Sequence, residues 1–168
     1  MTEKILVFSD SHGSTLVMKA LLESPPDGLT AVFHLGDGAA DAERIMQNYP
    51  MYAFLGVRGN CDPLIGKHES IITERGGIRF MLTHGHKYGV KSSLGYAAMT
   101  ARNQGAKVLL YGHTHIADDS VIESADGAVR AVNPGSVRMC EYAVITVDNG
   151  EVTVELMRYS SLGGTEND

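Results

Sequence analysis

The segment KILVFSDSH, residues 4–12, joins a continuous apolar run to a polar tripeptide. A short apolar run of this kind predicts a buried β-strand over residues 4–8. Asp10-Ser11-His12 follows at once, and carboxylates and imidazoles are ligands of divalent metals in proteins. The segment therefore predicts a buried strand that ends in a functional loop.

The same succession of strand and polar cluster recurs along the chain. Its further copies are Gly36-Asp37 after residues 29–35, Gly59-Asn60 after 51–57, His84-Gly85-His86 after 78–83, and Gly112-His113-Thr114-His115 after 107–111. Each cluster alone is commonly a turn, but their joint order is specific. Because sites collect at the carboxyl ends of parallel strands, these clusters should converge on one rim.

Two pairs of ligand candidates are separated by a single residue. These are Asp10 with His12 and His113 with His115. An extended backbone points residues i and i+2 to the same side. On that interpretation, each pair can hold one metal ion or straddle two.

The order of elements indicates an α/β protein. Helices are predicted over residues 15–23, with Ser14 as the N-cap, over 41–48 and over 94–103. They alternate with the first three strands, which predicts a parallel sheet. The last third is rich in strands, including a hairpin at Asp148-Asn149-Gly150. Two mixed sheets packed face to face, with helices outside, satisfy this pattern.

Size and composition predict one globular domain. The chain has 168 residues, of which 43% are hydrophobic and 20% charged, so it can bury a core without disulfides. We predict a single domain over residues 1–159. The small polar residues 160–168 (SSLGGTEND) predict a disordered tail.

Charge and cysteine content indicate which binding partners and which cellular compartment to expect. The formal net charge of −6 disfavours nucleic acid, which requires a basic surface. Cys61 and Cys140 form no disulfide framework, which fits a reducing compartment. We find neither a signal-like segment nor an apolar run long enough to span a membrane, so we expect a cytoplasmic protein.

The clusters resemble the signature of the calcineurin-like metallophosphoesterase superfamily, specifically its small prokaryotic phosphodiesterase branch. That signature runs D-x-H, G-D, G-N-H-[DE], a His-Gly step and G-H-x-H. The resemblance covers residues 4 to about 158, and Asn133-Pro134-Gly135-Ser136 also resembles a loop of this branch. It implies a four-layer α/β/β/α sandwich of two mixed β-sheets flanked by helices.

The resemblance also implies two divalent metal ions and a hydroxide that bridges them. One ion would be held by Asp10, His12, Asp37 and His115, and the other by Asp37, Asn60, His84 and His113. Asp37 would bridge, since a carboxylate has enough lone pairs for both ions. Manganese is the ion we expect, and nickel, iron, cobalt and zinc also suit such ligands.

Cys61 stands where the family motif has a histidine that assists the leaving group. General acid catalysis contributes about 10²–10⁴-fold, so its loss should harm monoesters more than diesters with good leaving groups. We therefore expect a phosphodiesterase. Cys61 could instead be a nucleophile, but the H-C-x5-R loop of cysteine phosphatases is missing.

Two further residues are candidates for contact with substrate. His86 is the nearest spare imidazole in sequence, and it could meet the substrate, donate a proton or support a metal ligand. Arg138 follows the Asn-Pro-Gly-Ser loop and could meet a phosphate oxygen.

Two alternatives to a phosphodiesterase stay open. A subunit of the eukaryotic retromer complex shares the family fold and acts by protein–protein contact, so the chain could be a binding scaffold. Nucleases share it too, so it could hydrolyse a small nucleotide or a nucleic acid. We expect a small-molecule phosphodiester substrate, no membrane partner and self-association into a homo-oligomer.

Overall fold

The computed structural model describes residues 2–64, 68–160 and 164–167. Three α-helices are present in these ranges: α1 Leu16–Glu23, α2 Ala39–Met46 and α3 Gly95–Asn103. The strands are β1 Glu3–Phe8, β2 Leu29–His34, β3 Ala53–Gly56, β4 Ser70–Arg75, β5 Ile78–Thr83, β6 Val108–Leu110, β7 Asp118–Ile122, β8 Val129–Asn133, β9 Glu141–Asp148, β10 Glu151–Ser160 and β11 Gly164–Asn167. Short 3-10 helices cover His86–Tyr88 and Val137–Met139.

The strands form two mixed sheets. The first has the order β11-β10-β9-β1-β2-β3, and the second has the order β4-β5-β6-β8-β7. Strands β1, β2 and β3 run parallel to one another, as do β5, β6 and β8. In the first sheet the three parallel strands lie at one edge, and β9 pairs with β1 in antiparallel fashion. In the second sheet they lie between the antiparallel edge strands β4 and β7.

Both faces of the central strands are covered, which explains the unbroken apolar run of β1. Ile5 and Val7 point into the core between the sheets, where they join Phe33 of β2 and Phe80 of β5. Leu6 and the other alternate residues of β1 point outward, under α1 and α2. Strands buried on both faces read as continuous apolar runs rather than alternating ones.

Helix α3 covers the outer face of the second sheet. Its alanines, including Ala97 and Ala101, pack against Met81 of β5 and Leu109 of β6. The layers are therefore helix, sheet, sheet and helix, which confirms the predicted α/β/β/α sandwich. None of the helices in the described ranges is long and apolar enough to cross a membrane.

Element ends differ from the sequence prediction by a few residues. Helix α1 starts at Leu16 with Thr15 as its N-cap and has no side-chain capping hydrogen bond, so the prediction of Ser14 as the cap was wrong. Of the tail predicted to be disordered, Ser160 ends β10, and β11 pairs with β10 in antiparallel fashion. Residues 161–163 and 168 lie outside the described residues.

Candidate metal centre

One rim of the sandwich receives loops from both sheets. The first sheet contributes the loops after β1, β2 and β3, which carry Asp10, Asp37 and Asn60. The second contributes the loops after β5 and β6, which carry His84 and His113. Parallel alignment within each sheet places these loops at the same end, so residues far apart in sequence share one site.

The Asp10 carboxylate is completely buried and only half satisfied. Its Oδ2 accepts hydrogen bonds from the Ser9 hydroxyl at 2.6 Å and from the His113 backbone N–H at 3.0 Å. Its Oδ1 has no hydrogen-bond partner among the described residues. That oxygen instead faces three imidazole nitrogens, the Nε2 atoms of His115 at 3.1 Å, His12 at 3.9 Å and His84 at 4.0 Å.

The Asp37 carboxylate lies beside the same nitrogens. Its Oδ1 accepts the Cys61 backbone N–H at 2.8 Å, and its Oδ2 is 3.5 Å from His84 Nε2 and 3.7 Å from His12 Nε2. Burial opposes ionisation, but the hydrogen bonds from His84 and the Cys61 N–H outweigh it and hold the pKa of Asp37 below its ordinary value. Asp37 is therefore an anion at neutral pH.

His84 is held in one orientation by the backbone. Its Nδ1 donates to the Leu35 carbonyl at 2.8 Å, so its Nε2 points at Asp10 and Asp37. Burial lowers the pKa of His84, but hydrogen bonding to Asp37 and the charge of Asp10 raise it above the ordinary value. The same Nε2 can carry a proton toward the carboxylates or offer its lone pair to a metal, as imidazole ligands held by a carbonyl do.

The remaining ligand candidates surround this centre. His12 and His115 approach each other to 3.5 Å between their Nε2 atoms. On the other side, the Asn60 side-chain oxygen is 3.1 Å from His84 Nε2, and the His113 and His84 rings are 4.9 Å apart between centroids. The structure thus gathers every residue predicted as a ligand into one cluster.

The backbone of this cluster is not extended. Asp10, His12, His113 and His115 all have positive φ, of 52°, 44°, 71° and 60°. The interpretation that an extended chain points each pair to one side was therefore wrong. Tight left-handed turns, which Asp, Asn and His tolerate better than other non-glycine residues, bring these side chains together.

The residues present fit divalent metal ions. Three groups place their donor atoms within 4.8 Å of one another: Asp10 with His12 and His115, His12 with Asp37 and Cys61, and Asp10 with Asp37 and His84. The buried Oδ1 of Asp10 makes no hydrogen bond within the described residues and lies among imidazole nitrogens, so a cation coordinated here would satisfy it. Carboxylate oxygens mixed with imidazoles suit first-row divalent ions.

Cys61 lies at the open side of the cluster. It is exposed, and the Asn60 amide contacts its sulfur at 3.3 Å. Desolvation at the loop and the neighbouring Asp37 carboxylate raise the pKa of the Cys61 thiol. Because a protonated thiol is a poor nucleophile, this raised pKa does not favour the alternative in which Cys61 is the nucleophile.

His86 lies next to the cluster, within an ion-pair network. Its ring is 5.4 Å from that of His84, and its Nε2 is 3.6 Å from Glu69, which also pairs with Arg58 and Lys87. Burial and the charges of His84 and Arg58 lower the pKa of His86. Its contact with substrate stays a prediction.

Arg138 lies in the short helix Val137–Met139 and is exposed. Its contact with a phosphate oxygen stays a prediction.

Residues of the Asn133–Ser136 loop support the site in a way the sequence did not assign. The Ser136 hydroxyl donates to the Asp10 carbonyl at 2.9 Å. The Asn133 amide donates to the Gly112 carbonyl at 3.2 Å and to the Thr114 hydroxyl at 2.9 Å. The loop therefore joins the turn after β1 to the turn after β6, and its resemblance to a family loop was the only sequence signal for it.

His113 should give the metal-free protein a pH-dependent stability. Burial, followed by the charges of His84 and Lys91, lowers the pKa of His113 from 6.5 to about 4. Because the folded state resists protonation, the contribution of His113 to stability is full above pH 6.5 and falls as the pH drops toward 4. In chelator, the melting temperature of His113→Asn should therefore decline less steeply from pH 7 to 4.5 than that of the wild type.

The control for this experiment is His68→Asn, which removes an exposed imidazole. It should keep the wild-type slope. Equal slopes for the wild type and His113→Asn would contradict the prediction.

Comparisons with known proteins agree with this architecture. The calcineurin-like phosphoesterase superfamily domain matches residues 4–150. The chain is 27% identical over 168 residues to the probable metallophosphoesterase YsnB of Bacillus subtilis (strain 168), an alignment that covers 96% of this chain and 93% of that protein.

Solved structures share the fold. A Streptococcus pneumoniae TIGR4 protein described as a predicted phosphoesterase superposes with a TM-score of 0.76 at 26% identity, covering 100% of this chain and 98% of that one. Vps29 of Entamoeba histolytica, complexed with zinc, superposes with a TM-score of 0.75 over 98% of this chain and 97% of that one. At 18% identity, the latter likeness concerns the fold alone. Since the match to the family domain covers residues 4–150 of this chain, the chain belongs to the calcineurin-like phosphoesterase superfamily.

Proposed function

We propose that the chain is a metal-dependent phosphodiesterase that works with two divalent ions. Family membership supports phosphoester hydrolysis as the general class of reaction. The observation that carries the proposal is the buried Asp10 Oδ1, which faces the Nε2 atoms of His12, His84 and His115 and accepts no hydrogen bond from the residues that the structure describes. A chain that served only as a binding scaffold would have no physical need of such a donor set.

The cluster divides into two ligand sets around Asp37. His12, His115 and Asp10 would hold one ion, while Asn60, His84 and His113 would hold the other, with Asp37 shared. When bound, the ions would supply Lewis acidity and a hydroxide from water at neutral pH. Manganese is the ion we favour, because oxygen ligands accompany the imidazoles.

The chain's own residues prepare this site for catalysis. The Cys61 N–H fixes one oxygen of Asp37, which leaves the other facing the imidazoles. The Leu35 carbonyl fixes the tautomer of His84. These contacts hold donor atoms in place before any ligand arrives, and such preorganisation is a large part of catalysis.

The preference for diesters follows from Cys61. The thiol stands near Asp37 and is protonated, yet its raised pKa makes it a weak acid for the leaving group. An alkoxide leaving from a simple monoester requires a proton donor more than an aryloxide leaving from a diester does. We therefore propose a small-molecule phosphodiester with a good leaving group as the substrate class.

Cys61→His should shift the substrate preference. It restores the residue usual in the family at this position and introduces a proton donor, so the ratio of alkyl monoester to diester hydrolysis should rise at least about tenfold, the lower part of the range for general acid catalysis. The assay compares bis(p-nitrophenyl) phosphate with an alkyl phosphate monoester in the presence of manganese. Cys61→Ser is the control and should leave the ratio unchanged.

Two results would contradict the proposal. An unchanged ratio in Cys61→His would remove the argument for a diester preference. Absence of turnover in the wild type with any divalent ion, together with no metal in elemental analysis, would favour the scaffold alternative. A net charge of −6 argues against a nucleic-acid polymer as substrate.

We also propose a cellular compartment and an oligomeric state for the protein. Both cysteines are free, which suits the reducing cytoplasm. Self-association into a homo-oligomer is also proposed, and light scattering of the purified protein tests it.

A further inference from the structure

The side chain of Asp62 accepts three backbone hydrogen bonds from the two loops that carry Asp37 and Asn60. Its Oδ2 accepts from the N–H groups of Asp37 at 2.8 Å and Gly59 at 2.9 Å. Its Oδ1 accepts from the Gly38 N–H at 2.9 Å. One carboxylate thus joins the turn after β2 to the turn after β3.

The two loops are tied in both directions. The Asp37 N–H donates to the Asp62 carboxylate, and the Asp37 carboxylate in turn accepts the Cys61 N–H at 2.8 Å. The Cys61 N–H and the Asp62 side chain therefore fix the carboxylate and the backbone of Asp37 separately. The orientation of Asp37 Oδ2 toward His12 and His84 depends on both contacts.

The backbone that Asp62 holds is a turn with positive φ. Asp37 has φ of 55° and Gly38 has φ of 133°. Successive N–H groups in such turns form a concavity that attracts an anion. The Asp62 carboxylate fills this concavity from within the protein and stabilises the turn through charge-assisted hydrogen bonds.

We propose that Asp62 is a positioning residue that sets the metal affinity of the centre through Asp37. In the G-N-H-[DE] motif the acid at this point follows a histidine, but in this chain it follows Cys61. The role of Asp62 here is to lock the two loops at the separation that the shared ligand requires. This inference rests on the proposed function, because it concerns the same metal centre.

The test measures binding of manganese alone to metal-stripped protein by calorimetry. In Asp62→Asn, one acceptor oxygen becomes an N–H₂ group that faces backbone N–H donors. The dissociation constant for manganese should rise about 10–100-fold, as it does when residues that orient metal ligands are replaced. The activity lost at low manganese should return in part at saturating manganese, which a general loss of folding would not allow.

Asp119→Asn is the matched control. It removes a carboxylate on β7 that pairs with Arg130 of β8 at 2.7 Å and that makes none of the described contacts with the loops carrying Asp37 and Asn60. It should lower the melting temperature of the metal-free and metal-loaded proteins equally and leave the manganese affinity unchanged. Asp62→Glu, which keeps the charge but moves the carboxylate by one methylene, serves as a second variant should Asp62→Asn fail to fold.

The outcomes separate this inference from the proposed function. Wild-type manganese affinity in a folded Asp62→Asn or Asp62→Glu protein would overturn the role of Asp62 and leave the metal centre standing. Absence of manganese binding in the wild type would overturn the proposed function itself. Weakened binding in the Asp62 variants, with normal binding in Asp119→Asn, is the result we expect.

Discussion

Asp37→Asn should abolish most hydrolysis of bis(p-nitrophenyl) phosphate and should lower the metal content of the purified protein. The carboxylate is nearly fully buried and contributes to two of the three donor groups at the rim. Its Oδ2 lies close to the Nε2 atoms of both His12 and His84, so its charge serves both halves of the centre. Residues that merely orient a ligand typically contribute 10–100-fold, so we expect the loss of a shared ligand to exceed about 100-fold.

Asparagine makes this substitution informative, because it has nearly the same shape and can still accept the Cys61 N–H. A loss of metal binding would therefore report the missing charge rather than a collapsed loop. Asp41→Asn is the control, since Asp41 lies four residues further on, in α2, and pairs only with Arg44 in the contacts described. Full metal content and full turnover in Asp37→Asn would show that Asp37 is not a ligand.

Gly59→Ala should have the second large effect, although it adds only one methyl group. A Cβ atom on Gly59 would collide with the Asp37 backbone N and carboxylate, and it would lie 2.7 Å from Asp37 Cγ. Either the turn after β3 or the Asp37 side chain must move. Overpacking of this kind costs about 1–3 kcal/mol in the free energy of unfolding, and displacement of Asp37 should lower diester hydrolysis at least about tenfold.

Gly95→Ala provides the matched substitution. Gly95 begins α3, and the nearest atom to an added Cβ is the Ser93 hydroxyl at 3.3 Å. Since alanine is favoured over glycine in helices, this variant should keep its activity and its stability. Thermal unfolding and turnover with manganese measure both variants, and equal values for Gly59→Ala and Gly95→Ala would contradict the steric argument.

The architecture could be predicted because its signals are local. The apolar run of β1 and the similar runs in β2, β5 and β6 predict the buried strands, and the polar clusters lie where those strands end. Parallel pairing then places the clusters together without any knowledge of the loops. The strand-rich last third predicts a second sheet packed on the first, and the predicted helices have to cover the outer faces of the two sheets. These two expectations together give the four layers.

The local geometry of the site could not be predicted, because it depends on contacts between distant residues. Nothing near Asp62 in sequence shows that its carboxylate meets Gly38, and nothing near His84 shows that its Nδ1 donates to Leu35. The positive φ values of Asp10 and His12 contradict the expectation that an extended backbone points these two side chains to the same side. Turn conformation is decided by hydrogen bonds across loops, which spacing along the chain does not encode.

The left-handed backbone at the ligands limits how this site can change over evolution. Asp10, His12, Asp37, His113 and His115 occupy a region of φ that strongly disfavours β-branched and bulky side chains. Asparagine, aspartate, histidine and glycine are the residues that enter it at low cost. Substitutions at these positions should therefore be limited mainly to exchanges among these residue types. A glutamate or threonine has suitable donor atoms, but the conformational cost of positive φ would disfavour it whatever its ability to bind metal.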